Sequence, residues 1–571
     1  MSPALIALFP GFAAILVCLT DLLLLRRGPG RGKGRDTGKD GGRGKALAFR
    51  GVTGLALLAL ALALIVTLSN LPLALTGEAI RARTILPGGV VFVLRLDTLA
   101  LIFLLPMLLA ALAAALCAGG FFEREATVVQ FQGLLLAAVA AVALVILADQ
   151  VWLAALSWML AALFAFLMLW RCGEQPGGMV AALPGLLVAL FAGGFLFTGL
   201  SHLASLAGSS GITRITHRGQ EIAASGQHLM PAFLILAGAL AGAGLVPFRI
   251  GRSRAIFAPA PVVAFLLPAG SGLAALYLLA RLAPATGGAI GGGAPVWAST
   301  LMAISVLTVL VAGLSALGRR GIAGIAEAVL TVQMALAFWL AGMGHTGAMA
   351  FLVMAMVPAA AALFLCAGLI RRETGSLRLA VPGGLINRMP LTALIAAFAL
   401  IALAGIAPFA GWHALTTSFA AFGANGLPAA ADLSVLAGVA TVLAGYALIF
   451  AALLHSADLA RADAVFPAAD SHAVIQDPRP GLLLAPAALV LLVALSGLFP
   501  TLPARLAAHT GFAAGGEWAA FAGELPQTPA QALGLWPAST DIIPWLWLGS
   551  VGLGFLIHGL RRRAPRPASE D

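Results

Sequence analysis

The sequence predicts an all-α polytopic membrane protein of about fifteen transmembrane helices. Two features of composition support this class: 61% of the 571 residues are hydrophobic and only 10% are charged, against about 25% in a typical soluble domain. So few charges cannot cover a water-facing surface, and the mean hydropathy of +1.02 indicates lipid as the surrounding medium. The third feature is a series of short basic clusters between apolar runs, as in membrane loops.

Runs of about 20 mainly apolar residues are long enough to cross a bilayer. The first of them carries Asp21 near its end and precedes Arg26 and Arg27, which predicts a retained helix, because a cleaved signal has its basic residues before the apolar stretch. The stretch 412–430 is interpreted as a re-entrant piece or a further helix. The predicted spans are 3–25, 51–74, 98–119, 127–148, 150–170, 179–203, 230–249, 257–280, 294–317, 321–342, 346–370, 390–411, 434–456, 480–500 and 541–560.

Basic residues in alternate loops predict the orientation. The glycine-rich loop after the first span is strongly basic and is expected in the cytoplasm. The opposite side holds the weakly charged segments 75–93, 204–229 and 501–540. The N-terminus is therefore expected outside and the C-terminus in the cytoplasm of a bacterial-type inner membrane. The later basic clusters on the cytoplasmic side are Arg249, Arg252 and Arg254; Arg319 and Arg320; Arg371, Arg372 and Arg378; and Arg561, Arg562, Arg563 and Arg566.

Several function classes are excluded by what the sequence lacks. The net charge of +11 comes from loop clusters, so no nucleic-acid partner is expected. The four cysteines lie in or beside apolar runs without metal-ligand spacing, and no phosphate loop or Ser/His/Asp arrangement is visible. We therefore predict no catalytic residue, no metal site and no cofactor in this chain.

Two predicted helices are interrupted in the same way. One contains the stretch 244–248 (GLVPF) and the other 405–409 (GIAPF), so Pro247 and Pro408 each remove a helical hydrogen bond. Matched interruptions in two halves of a membrane chain indicate an internal repeat, although proline and glycine are common in membrane helices.

Four stretches in order carry a family resemblance: 95–99 (RLDTL), 244–248 (GLVPF), 258–264 (APAPVVA) and 408–411 (PFAG). Together they resemble the antiporter-like membrane subunits shared by respiratory complex I, membrane-bound hydrogenases and Mrp-type cation/proton antiporters. The resemblance implies a core over 95–500 with two inverted five-helix repeats, about 127–281 and 294–456, each with a proline-broken helix. Residues 1–94 and 501–571 then flank the core. It also implies partner subunits, including redox subunits that drive protons or sodium ions along buried charges.

The charged relay of that family is missing from the positions that the resemblance assigns to it. The family's fifth-helix glutamate falls on Ser157, and the lysine before the seventh-helix break falls on Gly242. The last family position, after the twelfth-helix break, falls on Ala414 or Leu415. Two histidines and a lysine of the eleventh helix fall on Val353, Val357 and Ala361.

A few polar residues remain as a candidate residual path: Glu327, Gln333 and His413. Glu327 is interpreted either as the cap of a water-filled half-channel or as the partner of Arg319 or Arg320. Elsewhere, Asp97 is expected to pair with Arg95, and Asp149 is expected to be solvated in a short outer turn.

Three functions stay open at this point. The first is a charge-depleted scaffold or coupling subunit of a complex-I-like or hydrogenase-like redox complex. The second is an Mrp-like proton or cation transporter with a rearranged path, and the third is a carrier of a small neutral solute. The missing glutamate and lysine argue against the second, and the family stretches argue against the third.

Overall fold

The computed structural model describes most of the transmembrane part of the chain. The described residues are 2–26, 40–85, 91–122, 124–173, 178–249, 255–286, 295–319, 321–374, 385–405, 409–414 and 477–508, with the single positions 552 and 556.

Among its described residues, the first part of the chain contains five of the ten helical segments that are long enough to cross a membrane, together with a hairpin. The elements are α1 (Ala4–Arg26), α2 (Asp40–Ser69), α3 (Leu71–Leu75), β1 (Ile80–Ile85), β2 (Val91–Leu96), α4 (Thr98–Phe121), α5 (Glu125–Leu147), α6 (Val151–Cys172), α7 (Gly178–Ala207), α8 (Ile212–His217), α9 (Gly219–Ala224) and α10 (Leu229–Ala243).

The second part continues as helices throughout its described residues. The elements are α11 (Ala260–Ala269), α12 (Ser271–Thr286), α13 (Pro295–Gly318), α14 (Ile322–Gly342), α15 (Thr346–Thr374), α16 (Leu385–Arg388), α17 (Pro390–Leu403), α18 (Pro480–Leu498) and α19 (Thr501–Ala508).

The predicted spans agree with these helices wherever the structure describes them. Within the described residues, ten helical segments are long and apolar enough to cross a membrane, and three shorter apolar helices accompany them. The predicted span 434–456, and most of 412–430 and 541–560, lie outside the described residues. The total of about fifteen therefore stays a prediction, whereas the all-α polytopic class is confirmed.

One element was not predicted: the outer segment that was expected to be a loop contains an antiparallel hairpin. Strands β1 and β2 pair from Ile80 opposite Leu96 to Ile85 opposite Val91. The sequence carries two signals for it, apolar and polar residues alternating in β1 and the turn-forming stretch 87–89 (PGG). Both signals are short, and the strong helical pattern around them obscured them.

The core lies around α14 and α15. Helix α14 is completely buried, and α15 packs against α4, α11, α14, α17 and α18. By contrast, α7 and α13 expose rows of large apolar side chains, as lipid-facing helices do. Small residues bring helices close together where lipid supplies no hydrophobic drive: a Cβ on Gly238 of α10 would lie 2.7 Å from the Ala192 carbonyl oxygen of α7.

Both interrupted helices end at a glycine in the left-handed conformation. Helix α10 ends before Gly244 (φ 63°), and α17 ends just before Gly405 (φ 71°). The left-handed conformation costs glycine little, so it can end a helix where the backbone must turn away. Pro247 follows the first break, while Pro408 lies outside the described residues. The matched ends support the predicted repeats, whose boundaries stay a prediction.

A buried ion-pair cluster holds the start of α4. The Asp97 carboxylate accepts a hydrogen bond from the Ala100 backbone N–H (3.1 Å) and so caps the helix. It also pairs with Arg95 at 3.1 Å, as predicted, and with Arg281 of α12, which was not predicted. The cluster therefore joins the hairpin, α4 and α12.

Asp149 lies at the same end of the bundle; it was expected to be solvated, but it is half-buried and hydrogen-bonded to the protein. Its Oδ1 accepts hydrogen bonds from the Thr213 backbone N–H (2.9 Å) and hydroxyl (2.5 Å). The Arg95 guanidinium donates to the same hydroxyl at 2.7 Å. The α5–α6 turn is thus packed against α8 and the hairpin, and its carboxylate is held by the protein.

Replacing Asp97 by Asn tests this cluster. Burial alone would raise the pKa of Asp97, but Arg281 and Arg95 outweigh it and hold the pKa below its ordinary value. Asp97→Asn should lower the free energy of unfolding at pH 7 by about 3 kcal/mol, because it leaves buried guanidinium groups without their carboxylate. The difference from wild type should persist down to about pH 4 and shrink as pH falls through the folded-state pKa.

Thermal unfolding in detergent between pH 3 and pH 8 would measure this. The exposed Glu78, in the turn before β1, gives the matched control Glu78→Gln, which should leave the transition where it is. A difference between wild type and Asp97→Asn that is the same at every pH would contradict the ionic origin of the effect.

Candidate ion pathway

The Trp158 indole packs against one of the positions that the resemblance assigns to the relay. Ser157 on α6 is buried, and Trp158 follows it. A Cβ on Gly242 of α10 would lie only 2.5 Å from Cη2 and 2.6 Å from Cζ2 of the Trp158 indole. The indole therefore occupies the space that any side chain at position 242 would need.

The same indole is fixed from the other side by α7. A Cβ on Gly193 would lie 2.8 Å from Trp158 Cδ1, and the indole Nε1–H donates to the Ala189 carbonyl oxygen at 3.1 Å. The ring thus sits between two glycines on neighbouring helices, with its polar atom satisfied. A side chain held in this way cannot move without repacking α6, α7 and α10.

The other positions that the resemblance assigns to the relay are apolar and buried. Val353, Val357 and Ala361 follow one another at helical spacing on α15 and are completely buried. Ala414 is also buried, and Leu415 lies outside the described residues. Aliphatic side chains offer nothing that binds a proton.

Glu327 is completely buried and is held by two guanidinium groups. Its Oε2 pairs with Arg249 at 3.1 Å and with Arg319 at 3.3 Å. The Thr331 hydroxyl lies 3.0 Å from Oε1, and Arg249 also donates to the Ser315 hydroxyl at 3.0 Å. Of the two interpretations of Glu327, the contacts favour the paired carboxylate, with Arg249 as a partner that sequence reasoning missed.

In each broken helix, a carbonyl group near the break accepts a hydrogen bond from a side chain of another helix. The Ser271 hydroxyl donates to the Gly242 carbonyl oxygen at 2.9 Å. The Gln333 side-chain amide donates to the Leu403 carbonyl oxygen at 2.9 Å. A helix end in lipid needs such partners because no water reaches it. Gln333 thus has a structural task at the second break.

The three residues of the candidate residual path bind three different elements. Glu327 faces α13 and the segment after α10, and Gln333 binds the end of α17. With about 100° per residue, six positions turn Gln333 roughly 120° away from Glu327 on α14. His413 lies 3.1 Å (Nε2) from the Gly497 carbonyl oxygen of α18 and contacts the edge of Phe351. A path through all three stays a proposal.

No metal site is formed in the part of the chain that the structure describes, where no three His, Cys, Asp or Glu side chains come together. The three buried cysteines, Cys117, Cys172 and Cys366, lie on three different helices. The polar chemistry of the interior is therefore that of ion pairs and hydrogen bonds.

Comparison with protein families decides the family. The family of NADH:quinone oxidoreductase/Mrp antiporter transmembrane proteins matches residues 148–456, more than half of the 571 residues. The chain belongs to this family. It is accordingly a multi-pass membrane protein and an antiporter-like subunit by descent.

Curated relatives of this antiporter-like chain include the Na(+)/H(+) antiporter subunit A1 of Staphylococcus aureus strains JH9 and Newman. Each is 28% identical over 359 residues, which are 59% of this chain and 44% of the relative. The chain thus matches less than half the length of the curated relatives.

Solved structures show the same antiporter-like fold. The Mrp complex from Dietzia sp. DQ12-45-1b contains a chain with a TM-score of 0.77 at 19% identity, covering 97% of this chain and 56% of that one. A chain of the archaeal membrane-bound sulfane sulfur reductase gives 0.70 at 19%, covering 87% and 76%. A chain of respiratory complex I from Thermus thermophilus gives 0.65 at 22%, covering 89% and 100%.

The contacts of two residues of this antiporter-like chain, Trp158 and Arg249, were not predicted from the sequence. The sequence assigned no role to Trp158, and Arg249 was placed in a loop cluster. Arg249 carried a signal that was overlooked: the sequence has no Asp or Glu between Gly244 and Ala326, so Glu327 is the first acid that follows it in the chain. Nothing in the sequence predicts where the Trp158 ring lies.

Gly242→Ala tests the tight contact with Trp158. The added methyl group should cost about 1–3 kcal/mol because it overlaps the indole ring. Gly185 on α7, where a Cβ would meet nothing within 4 Å, gives the matched control: Gly185→Ala should be neutral or stabilising by up to about 1 kcal/mol.

Thermal unfolding of both variants in detergent would measure the difference. In the background Trp158→Ala, the cost of Gly242→Ala should disappear, since the ring that it overlaps is gone. Equal effects of the two alanine substitutions would refute the contact.

Proposed function

We propose that the chain is a charge-depleted, antiporter-like membrane subunit that serves a larger assembly as scaffold or coupling element and does not conduct protons through its first half. The single observation that carries the proposal is the Trp158 indole packed against Gly242. A relay side chain has no room at that position.

A proton cannot cross hydrocarbon without side chains that carry it. It needs groups that bind and release it at neutral pH, such as carboxylate, imidazole or amine, linked by hydrogen bonds. Ser157, Gly242, Val353, Val357 and Ala361 supply none of these. The buried ion pairs that remain join helices to one another, which suits a scaffold.

Other membrane and redox subunits are the proposed partners, with the lipid bilayer around them. The solved structures that share the fold are chains of a respiratory membrane complex, of complex I and of an Mrp complex, which supports a place in a multi-subunit assembly. The proposed location is a bacterial-type inner membrane, with the N-terminus outside and the C-terminus in the cytoplasm.

A second candidate is an Mrp-like cation/proton transporter with a rearranged path. The names of the curated relatives favour it, and so does the buried Glu327 with its Thr331 partner. It differs from the first candidate in one property, ion flux, which can be measured.

Reconstitution distinguishes the two candidates. The full chain, gently solubilised through an affinity tag, should bring other membrane subunits with it, and these can be identified by mass spectrometry. Purified and placed in liposomes with a pH-sensitive dye, the chain alone should give the proton and sodium flux of empty liposomes. An ionophore added at the end serves as the positive control. A chain that purifies alone and supports flux would overturn the scaffold proposal in favour of the transporter.

The orientation has its own test. Green fluorescent protein fused to the C-terminus should fluoresce, because it folds in the cytoplasm, and alkaline phosphatase fused there should be inactive. Fusions within 501–540 should show the opposite pattern, because this segment is expected outside. The same pattern at both sites would contradict the assigned topology.

A further inference from the structure

We propose that helix α9 is a pH-responsive cover over the end of α12, which protonation of His228 releases. The cover belongs to the end cap, the segment 208–227 that connects α7 to α10 and contains α8 and α9. Such a device makes the chain sensitive to the pH on one side of the membrane, whether or not the chain conducts ions. In the proposed topology, that side is the outside.

The α8 part of the end cap is tied to its neighbours by hydrogen bonds. The Ile212 backbone N–H donates to the Asp149 carbonyl oxygen at 2.9 Å, and the Asp149 carboxylate accepts from Thr213. After the end of α8, the Arg218 guanidinium donates to the Ala207 carbonyl oxygen of α7 at 3.0 Å. These bonds anchor α8 at both of its ends.

Helix α9 (Gly219–Ala224), by contrast, is held to α12 by packing. A Cβ on Gly219 would lie 2.7 Å from the Pro284 carbonyl carbon, so the two backbones are in contact. Ile222 and Ala223 are buried on the same helix. Within the described part of the chain, the hydrogen bonds of residues 219–227 run inside the end cap itself. Helix α9 is therefore the more easily released part of the end cap.

His228 lies directly after the end cap, at the start of α10, and is 5% exposed. Both ring nitrogens are shielded from water, and neither has a hydrogen-bond partner. Burial lowers the pKa of His228, and the Ala223 carbonyl group at the end of α9 offsets this only in part. The imidazole is therefore neutral at pH 7 while α9 is in place.

Charged groups of the surrounding elements do not compensate a proton on His228. Burial and the Ala223 carbonyl group are what shifts its pKa, and no charged side chain contributes. Helices α10 and α13 have no charged residue. The titratable residues of the other elements packed around α9 and α10 are His202 on α7, Arg214 and His217 on α8, Arg218 after it, Glu221 on α9, and Tyr277 and Arg281 on α12.

Gly226 provides a hinge between α9 and His228. Its backbone is left-handed (φ 72°), and a Cβ there would meet nothing within 4 Å. Glycine adopts this conformation at little cost, and the space around it is open. Helix α9 can thus turn away from α12 between Arg218 and Gly226 while α8 and α10 stay in place.

The direction of the pH effect follows from the burial of the imidazole. A proton on His228 beneath α9 would be an unpaired buried charge, whereas release of α9 lets the ring reach water. The closed arrangement is therefore fully stable above the ordinary histidine pKa of about 6.5. It loses stability as pH falls below that value, because the released form binds the proton more readily.

Hydrogen–deuterium exchange with mass spectrometry tests the release of α9. The full chain in detergent is compared with His228→Gln at the same pH, so that the intrinsic exchange rates cancel. At pH 7.5 the two proteins should exchange alike over residues 219–227. At pH 5 the wild type should exchange up to about 30-fold faster, because a histidine of ordinary pKa is then almost fully protonated once it is released.

The end cap supplies matched controls. His217 is exposed on α8, so His217→Gln should leave the acid effect unchanged. Residues 212–217, anchored by Asp149, should exchange alike in wild type and His228→Gln at pH 5 and serve as an internal reference. Gly219→Ala places a methyl group against the Pro284 backbone and should release α9 at both pH values, which shows the exchange of the released form.

Three results would overturn the proposal. Equal exchange of wild type and His228→Gln over 219–227 at pH 5 would show that α9 stays in place when His228 is protonated. Equal loosening of α8 would show a general effect of acid on the end cap, and loss of the acid effect in His217→Gln would place its origin elsewhere. His228→Leu, which also cannot take up a proton, gives the same comparison if His228→Gln does not fold, as judged by gel filtration.

Discussion

A polar group inside hydrocarbon must find its partner within the protein, and this constraint governs the interior of the chain. Asp97 has two arginines and a helix N-terminus, Glu327 has two arginines and a threonine, and the last carbonyl groups of the broken helices have Ser271 and Gln333. Each partner comes from another element, so satisfying a charge also fixes the arrangement of helices. The buried polar groups therefore link neighbouring elements, because the bilayer offers them no water.

The ion-pair clusters of Asp97 and Glu327 differ in which elements they connect. Asp97 lies at the N-terminal end of α4 and binds the hairpin to α12, and so stabilises one end of the bundle. Glu327 lies deeper and binds the segment after α10 to α13 and α14, which belong to different halves of the predicted core. Ion pairs between the two halves restrict their relative movement. Such a restriction suits a scaffold, whereas a transporter with alternating access would have to break these contacts.

The sequence predicted the fold well and the site only in part. Long apolar runs located the helices, and the matched Gly and Pro stretches located both breaks, since those signals are local. The β-hairpin was missed because its strands are short, and Asp149 was taken to be solvated because its partner Thr213 is 64 residues away. The apolar relay positions could be named from the family motifs, but the ring of Trp158 against Gly242 depends on how three helices pack. Pairings between distant segments, such as Arg249 with Glu327, leave no periodic trace in a single sequence.

The packing of the Trp158 ring and the ion pairs of Glu327 respond differently to a change in conditions. The Trp158 ring fits between two glycines, so moving it would require α6, α7 and α10 to separate, and neither pH nor ionic strength acts on it. The guanidinium groups of Arg249 and Arg319 share the Glu327 carboxylate, and Arg249 also donates to the Ser315 hydroxyl, so these contacts are made between side chains. The position of the Trp158 ring is therefore fixed by packing. The contacts of Glu327 with Arg249 and Arg319 depend instead on the charges of these groups.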